Sequence, residues 1–278
     1  MEKKCFIAGL PKAGKTTYIA ALWDIIQRRQ GDFDLQFATN PENATYLNEI
    51  WEYWVKMENI ERSKTPAPDD IKINVRRKSD GQEMELCIPD FMGEQFQKII
   101  DRTLSENIKK WIESSDRMLY LINTLEDGSK DDMDDEEEEA NPEGADRQEE
   151  REKALPLTPE RMMDVSQNLM VLKYIVTHTN LKKIAIGISA WDKKMGAGQT
   201  PEEYLKRRSP VMYNFIKYHF EDVLYFGVSA QGFDYSNKAE KATEMREKAR
   251  QSNRAFIAYA TEETLSSDLT RPLNYLIS

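Results

Sequence analysis

An octapeptide near the start of the chain constrains the fold more than any other feature of the sequence. Residues 9–16 read GLPKAGKT, which matches the pattern G-x-x-x-x-G-K-[ST] in full. In this pattern the glycines let backbone N–H groups curl around a phosphate, Lys15 adds a point charge, and the Thr16 hydroxyl can ligate Mg²⁺. The octapeptide therefore predicts a loop that binds the phosphates of a nucleotide.

The residues on either side of the octapeptide support this interpretation. Residues 4–10 form a short apolar run typical of a buried strand, and residues 15–28 carry apolar side chains at helical spacing. A helix that starts at the loop directs its N-terminal dipole at the bound anion. Lys12 either reaches the γ-phosphate or faces solvent. The residues that we expect to bind the phosphates are Gly9, Lys12, Ala13, Gly14, Lys15, Thr16 and Thr17.

Strand and helix patterns alternate along the rest of the chain. Predicted strands occupy residues 4–10, 71–76, 83–88, 117–124, 183–189 and 223–229. The pair Asp80-Gly81 between the second and third of them predicts a hairpin. Predicted helices occupy residues 15–28, 40–62, 94–114, 159–177, 201–220, 237–260 and 266–277. We therefore expect an α/β P-loop NTPase fold, with a mostly parallel six-stranded sheet, one antiparallel edge hairpin and helices on both faces.

Charge is concentrated in one segment. The chain has 278 residues and a net charge of -10, and residues 126–152 alone hold 15 acidic and 3 basic residues, a net of -12. The rest is thus near +2, so the charge indicates neither a globally acidic surface that repels nucleic acid nor a basic patch that attracts it. We expect a single domain, residues 1–278, with a helical insertion at 40–62 and a disordered acidic loop at 126–152. That loop is either a solvated insertion or a tether for a basic partner.

Cysteine usage and hydropathy bear on location. Cys5 and Cys87 both lie in predicted strands, so we expect buried, reduced thiols rather than a disulfide framework. No apolar stretch reaches the length of a membrane span, and the first apolar run is already the strand that leads into the phosphate loop. These features predict a cytoplasmic protein that does not interact with membranes.

An acidic residue follows the predicted strand at residues 83–88. Asp90 lies where a carboxylate can hold a water molecule bound to Mg²⁺, beside the phosphate loop. Asp90 also begins the pattern D-x-x-G, which ends at Gly93, and the Gly93 N–H can approach a γ-phosphate. We therefore expect Thr16 and Asp90 on the metal and Gly93 on the nucleotide.

Two further segments follow the last parallel strands. Residues 189–192 read SAWD and residues 228–231 read VSAQ. With the phosphate loop and D-x-x-G, they give the chain a resemblance to Ras-like small GTPases of the translation-factor-related P-loop class, over most of the body from Cys5 to about Gln231. Within that class the chain is similar to bacterial double-GTPase proteins of multi-component conflict systems.

The resemblance implies a guanine site. In the family a carboxylate at the position of Asp192 accepts hydrogen bonds from guanine, which rejects adenine, and the loop at Ser229 and Ala230 contacts the guanine oxygen. The chain departs from the family pattern [NT]-K-x-D at Ala190, because the lysine that covers the base is missing. Either Trp191 or Lys193 covers the base instead, or Trp191 is a packing aromatic.

The resemblance also implies a threonine that closes over Mg²⁺ and the γ-phosphate. Thr39, Thr45 and Thr65 are the candidates, and we choose Thr65 because it precedes a predicted strand in a segment that prolines keep out of a helix. Glu94, after D-x-x-G, either orients the attacking water or is only the first acid of a helix. We expect Lys15, Thr65 and Glu94 to be the catalytic residues.

These expectations describe a GTPase that binds GTP or GDP with Mg²⁺. Hydrolysis should be slow, because no arginine that could neutralise the transition state is evident in the chain, and we expect a protein effector or activating partner. Two alternatives remain at this point. One is a P-loop kinase acting on a small molecule, with Arg207 and Arg208 as lid arginines, and the other is a nucleotide-binding scaffold that does not turn over.

Overall fold

The chain folds around one mixed β-sheet. The computed structural model describes residues 3–28, 33–41, 44–58, 70–89, 98–100, 103–124, 162–194, 198–232, 255–259 and 265–278. Within these residues the sheet has eight strands, in the order β2-β3-β4-β1-β5-β6-β7-β8. They are β1 (Lys3–Ala8), β2 (Leu35–Phe37), β3 (Asp70–Arg77), β4 (Glu83–Pro89), β5 (Arg117–Asn123), β6 (Lys183–Ser189), β7 (Asp222–Ser229) and β8 (Phe256–Tyr259).

The strand directions give a parallel centre with antiparallel edges. Strands β4, β1, β5, β6 and β7 are parallel neighbours. Strand β3 is antiparallel to both β2 and β4, and β8 is antiparallel to β7. The β3–β4 hairpin turns at Asp80-Gly81, where Gly81 has φ 71°, so the predicted hairpin is present. Because β4, β1, β5, β6 and β7 run in one direction, their carboxyl ends meet at the same edge, where ligands bind in folds of this kind.

Helices cover both faces of the sheet. They are α1 (Lys15–Arg28), α2 (Ala44–Lys56), α3 (Glu106–Ser114), α4 (Asp164–His178), α5 (Pro201–Arg208), α6 (Pro210–His219) and α7 (Arg271–Ile277), with a 3₁₀ turn at Trp191–Lys194. One buried apolar layer joins α1, α2 and α7 to the sheet. A second layer joins α3, α4, α5 and α6 to the opposite face. This is the doubly wound α/β arrangement that the alternating pattern predicted.

The sequence predicted too few strands, six where the described residues contain eight. All six predicted strands are present, but the described residues contain two more, Leu35–Phe37 at one edge and Phe256–Tyr259 at the other. Strands of three and four residues are too short to give a periodic pattern, and pairing with a longer neighbour creates them. Residues 256–259 were expected to be helical, so that prediction is wrong there; residues 237–254 lie outside the described part.

Several helices are shorter than expected. The helix predicted at 201–220 is two helices, because Pro210 starts a new one after Ser209. The helix predicted at 40–62 spans Ala44–Lys56 and stops where Met57 takes φ 56°. At the C-terminal end of the described chain, Pro272 lies in the first turn of α7, where proline is tolerated and causes no kink.

The two cysteines behave as predicted. Both are buried and unpaired, on opposite faces of the sheet. Burial raises the pKa of Cys87 to about 12 and that of Cys5 well above its usual range, so neither thiol ionises at neutral pH. Among the helices that the structure describes, none is both long and apolar enough to span a bilayer.

Candidate functional site

The phosphate loop joins β1 to α1 in a conformation that requires glycine. Gly9 has φ 151° and Gly14 has φ 82°, values that side chains rarely allow. A Cβ on Gly9 would lie 2.4 Å from the carbonyl oxygen of Leu121, on the neighbouring strand β5. Lys12 also takes a positive φ, 61°, although it is not glycine. Such strain in a loop at the carboxyl end of a parallel strand is typical of functional sites.

The Lys15 ammonium is held inside this loop. Its Nζ donates hydrogen bonds to the carbonyl oxygens of Gly9, at 2.7 Å, and Leu10, at 2.8 Å. The side chain is only 5% exposed. Lys15 is also the first residue of α1. A buried ammonium next to a helix N-terminus suits the negative charge of nucleotide phosphates, so the residues present fit such a ligand.

A second polar site lies at the ends of β6 and β7. The Ser229 hydroxyl donates to Oδ1 of Asp192 at 2.6 Å and accepts a hydrogen bond from the Gly232 N–H at 3.1 Å. Ser229 is 1% exposed, whereas Asp192 is half-buried. The serine therefore fixes the position of the carboxylate, and it connects the two segments that sequence analysis assigned to the guanine base.

The phosphate loop and the Asp192 segment are adjacent. A Cβ on Gly14 would lie 3.2 Å from Cβ of Ser189 and 3.4 Å from its hydroxyl. Ser189 is the last residue of β6 and precedes the 3₁₀ turn that carries Asp192. The glycine therefore lets the two loops approach each other closely. One ligand with phosphates at one end and a base at the other could contact both.

Trp191 does not cover the base. Its side chain is 3% exposed and packs edge-on against Tyr204, with ring centroids 5.6 Å apart. A Cβ on Gly227 would come within 2.3 Å of the Trp191 ring, so β7 provides the groove in which the indole lies. Trp191 is thus the packing aromatic of the two alternatives. Ala190, which replaces the family's lysine, has φ 53°, and Lys193 is exposed.

Four of the predicted site residues lie outside the described part of the chain. They are Thr65, Asp90, Gly93 and Glu94. The other two threonine candidates are described, and both are exposed: Thr39 follows β2, and Thr45 lies in the first turn of α2. Thr16 and Thr17 lie in the first turn of α1, and Lys12 is exposed on the loop.

One contact to the site was missed by sequence analysis. The indole N–H of Trp54, on α2, donates to the carbonyl oxygen of Ala230 at 2.7 Å. The two partners are 176 residues apart, so no local pattern could pair them, and the concentration of tryptophan and tyrosine in residues 51–54 was the only signal.

The fold and the two adjacent loops define the class of the protein. The phosphate loop after β1, the carboxylate-bearing turn after β6 and the serine at the end of β7, together with the family match, identify a P-loop GTPase. The family described as Double-GTPase 1 matches residues 6–276, which is nearly the whole chain. The chain belongs to that family and is a GTP-binding protein.

Solved structures with a similar fold are distant in sequence. The GTPase-like domain of S. cerevisiae Ski7, bound to GTP, is 14% identical with a TM-score of 0.46, and the match covers 99% of this chain and 50% of that one. A bacterial selenocysteine-specific elongation factor, EF-Sec, is 12% identical with a TM-score of 0.35, over 91% of this chain and 29% of that one. The G domain of the T. maritima FeoB iron transporter is 13% identical with a TM-score of 0.32, over 90% and 100%. No curated protein matches the chain.

Proposed function

We propose that the chain is a nucleotide-controlled switch that binds guanine nucleotides with Mg²⁺ and hydrolyses GTP slowly. The observation that carries this proposal is the Ser229–Asp192 hydrogen bond beside the phosphate loop. It holds a carboxylate where guanine can donate from N1–H and its 2-amino group. Lys15 holds the phosphates of the same ligand. Adenine lacks this pair of donors, so the site should select guanine.

Hydrolysis needs positioning and charge neutralisation more than covalent chemistry. Lys15 and the N–H groups of the loop would stabilise charge on the β- and γ-phosphates. We propose that Thr16, Thr65 and Asp90 hold Mg²⁺, which when bound neutralises further phosphate charge. Gly93 would contact the γ-phosphate, and Glu94 would orient the attacking water. An anionic Glu94 beside the phosphate is a poor catalyst, which is one reason to expect slow turnover.

We further propose how this activity is organised in the chain. One GTPase domain, residues 1–278, carries the helical insertion at 40–62 and the acidic loop at 126–152. A protein effector or activating partner would respond to the nucleotide state, with no nucleic-acid or membrane partner, in a bacterial cytoplasm. Along the chain α2 lies between the strands β2 and β3, which are neighbours in the sheet, and this supports the insertion at 40–62.

The base site gives the decisive test. Calorimetry should show that GDP binds the wild-type chain far more tightly than ADP in the presence of Mg²⁺. Asp192→Asn should then weaken GDP and strengthen xanthosine diphosphate, because xanthine has an oxygen in place of the 2-amino group and the amide can donate to it. Equal affinity for GDP and ADP in the wild type would refute the proposed specificity.

Phosphate release separates the GTPase from its alternatives. A slow, Mg²⁺-dependent release from GTP that Glu94→Ala reduces supports the proposed hydrolysis. No release would indicate a scaffold. Transfer of phosphate from ATP to a small molecule would instead indicate the kinase alternative, with Arg207 and Arg208, in the last turn of α5, as lid arginines.

A further inference from the structure

Helices α1 and α2 are joined by indole hydrogen bonds. Trp23 on α1 donates to Oδ1 of Asn48 at 2.9 Å, and Trp51 on α2 donates to Oδ1 of Asp24 at 2.8 Å. Each bond links a tryptophan of one helix to a polar side chain of the other. With the buried apolar side chains between the helices, they hold α2 firmly against α1, the helix that follows the phosphate loop.

The third indole bond has a different target. Trp54 lies one turn after Trp51 near the end of α2, and its Nε1 donates to the Ala230 carbonyl oxygen rather than to α1. Trp54 is 8% exposed, so the bond is largely shielded from water. A shielded backbone carbonyl that lost its donor would carry a desolvation penalty. The bond therefore keeps this peptide group in one orientation.

Ala230 lies in the segment that the proposed function assigns to the guanine oxygen. On one side of it, Ser229 is fixed by Asp192 and by the Gly232 N–H. On the other side, the carbonyl of Ala230 itself is fixed by Trp54. The N–H that would meet the base lies between these two restraints. Its direction depends on both, because rotating either neighbouring peptide group moves it.

We propose that Trp54 is a positioning residue for guanine recognition. Through the Ala230 carbonyl it holds the base loop so that the Ala230 N–H points at the oxygen on C6 of guanine. This inference rests on the proposed function and extends it to a residue that contacts no nucleotide. Adenine carries an amino group at C6, which cannot accept that hydrogen bond. The contribution of Trp54 is therefore specific to guanine.

The test compares two tryptophans of the same helix in the full-length chain. Trp54→Phe removes the donor to Ala230, and Trp51→Phe removes the donor to Asp24 while leaving the base loop alone. The affinities of GDP and ADP with Mg²⁺ are measured for both variants by displacement of a fluorescent GDP analogue. The dissociation rate of that analogue is measured as well, since a loosened site acts mainly on dissociation.

We expect Trp54→Phe to release GDP about tenfold faster and to lower the GDP-to-ADP affinity ratio by a similar factor. This is the effect of losing one hydrogen bond, from the Ala230 N–H to the guanine oxygen. Trp51→Phe should stay within about twofold of the wild type. If phenylalanine at position 54 disturbs the packing, β-(3-benzothienyl)alanine at this position keeps the ring shape and replaces only the N–H by sulfur. The isostere should give the same fall in the affinity ratio.

Three results would overturn the inference. The first is a Trp54→Phe variant that matches Trp51→Phe, and the second is an equal loss for GDP and ADP, which would indicate general destabilisation. The third is an isostere that behaves as the wild type, which would assign any effect of phenylalanine to packing. In each case wild-type GDP binding still stands. A wild-type chain that does not prefer GDP to ADP overturns the proposed function together with this inference.

Discussion

The two ends of the candidate site differ in the groups that form them: one consists mainly of backbone groups and the other of side chains. At the end proposed for the phosphates, the backbone N–H groups of the loop and the buried Lys15 ammonium all lie within residues 9–17. At the base end, the carboxylate of Asp192 is held by Ser229, and the loop of Ser229 is held in turn by Trp54. The first end is local in sequence, whereas the second joins three separate segments.

This difference explains where the family pattern is kept and where it is not. A loop made of backbone depends on glycines with φ values that other residues rarely adopt, and Gly9 and Gly14 leave little choice. A pocket made of side chains can be supported from several directions. Ala190 can therefore replace the usual lysine while the Ser229–Asp192 pair remains intact. The base end should tolerate substitution better than the phosphate end.

The largest effect is expected at the phosphate end. Lys15→Ala should weaken GDP binding roughly 100-fold or more, because hydrogen bonds to charged groups contribute about 1.5–3 kcal/mol each. Calorimetry with GDP and Mg²⁺ measures the loss. Lys182→Ala, in which a 59% exposed lysine on the surface is removed, is the control and should bind normally. Unchanged affinity in Lys15→Ala would remove the basis of the whole site.

The second prediction concerns the packing of Trp191 against Gly227, next to the base end of the site. Gly227→Ala places a methyl group against the Trp191 ring, so we expect the free energy of unfolding to fall by about 2–3 kcal/mol. Urea denaturation measures this change. In a Trp191→Leu background the same substitution should lower the free energy of unfolding by less, because the indole ring is absent. A cost that is the same in both backgrounds would show that the two residues do not interact.

The missing lysine offers a gain of function. Ala190→Lys should raise GDP affinity several-fold, roughly 1 kcal/mol, because the lysine stem can cover one face of the base. The affinity for ADP, measured in parallel, should rise by a similar factor. The lysine stem contacts the face of the base, whereas guanine and adenine differ in the hydrogen-bonding groups at the edge. If neither affinity changes, another group already occupies that face.

The smallest expected effect is on the stability of the chain, and it allows the phosphate loop and the loop after β6 to be compared directly. Lys12 and Ala190 both take left-handed φ values, 61° and 53°, and glycine relieves strain of about 1–2 kcal/mol at such positions. Part of the gain is offset because glycine makes the unfolded chain more flexible. Each glycine variant should therefore be more stable by less than about 1 kcal/mol in thermal unfolding. A loss of stability at either position would contradict this estimate.

Sequence alone predicted the parallel centre of the fold because strong patterns encode it. The strand before Gly9 and the strand at 117–124 are continuous apolar runs, and the Asp80-Gly81 turn has its own local chemistry. The edge strands Leu35–Phe37 and Phe256–Tyr259 were missed because their structure depends on pairing with longer neighbours. Local sequence carries little of that information.

The candidate site divides in the same way. The octapeptide at 9–16 predicted where the phosphate loop lies, between β1 and α1, whereas the binding of phosphates by its residues stays a prediction. Asp192 could be located from its place after β6 and Ser229 from its place at the end of β7, but their hydrogen bond could not. Neither the burial of Trp191 in the groove at Gly227 nor the reach of Trp54 to Ala230 has a local signal. Both are contacts between segments that only the folded chain brings together.

The short strands at the sheet margins have a consequence for self-association. In the part of the chain that the structure describes, the sheet ends in three residues on one side and four on the other. A second copy that tried to extend the sheet would form few backbone hydrogen bonds with either margin. Within the described residues, neither margin therefore offers a long row of backbone groups to a second copy.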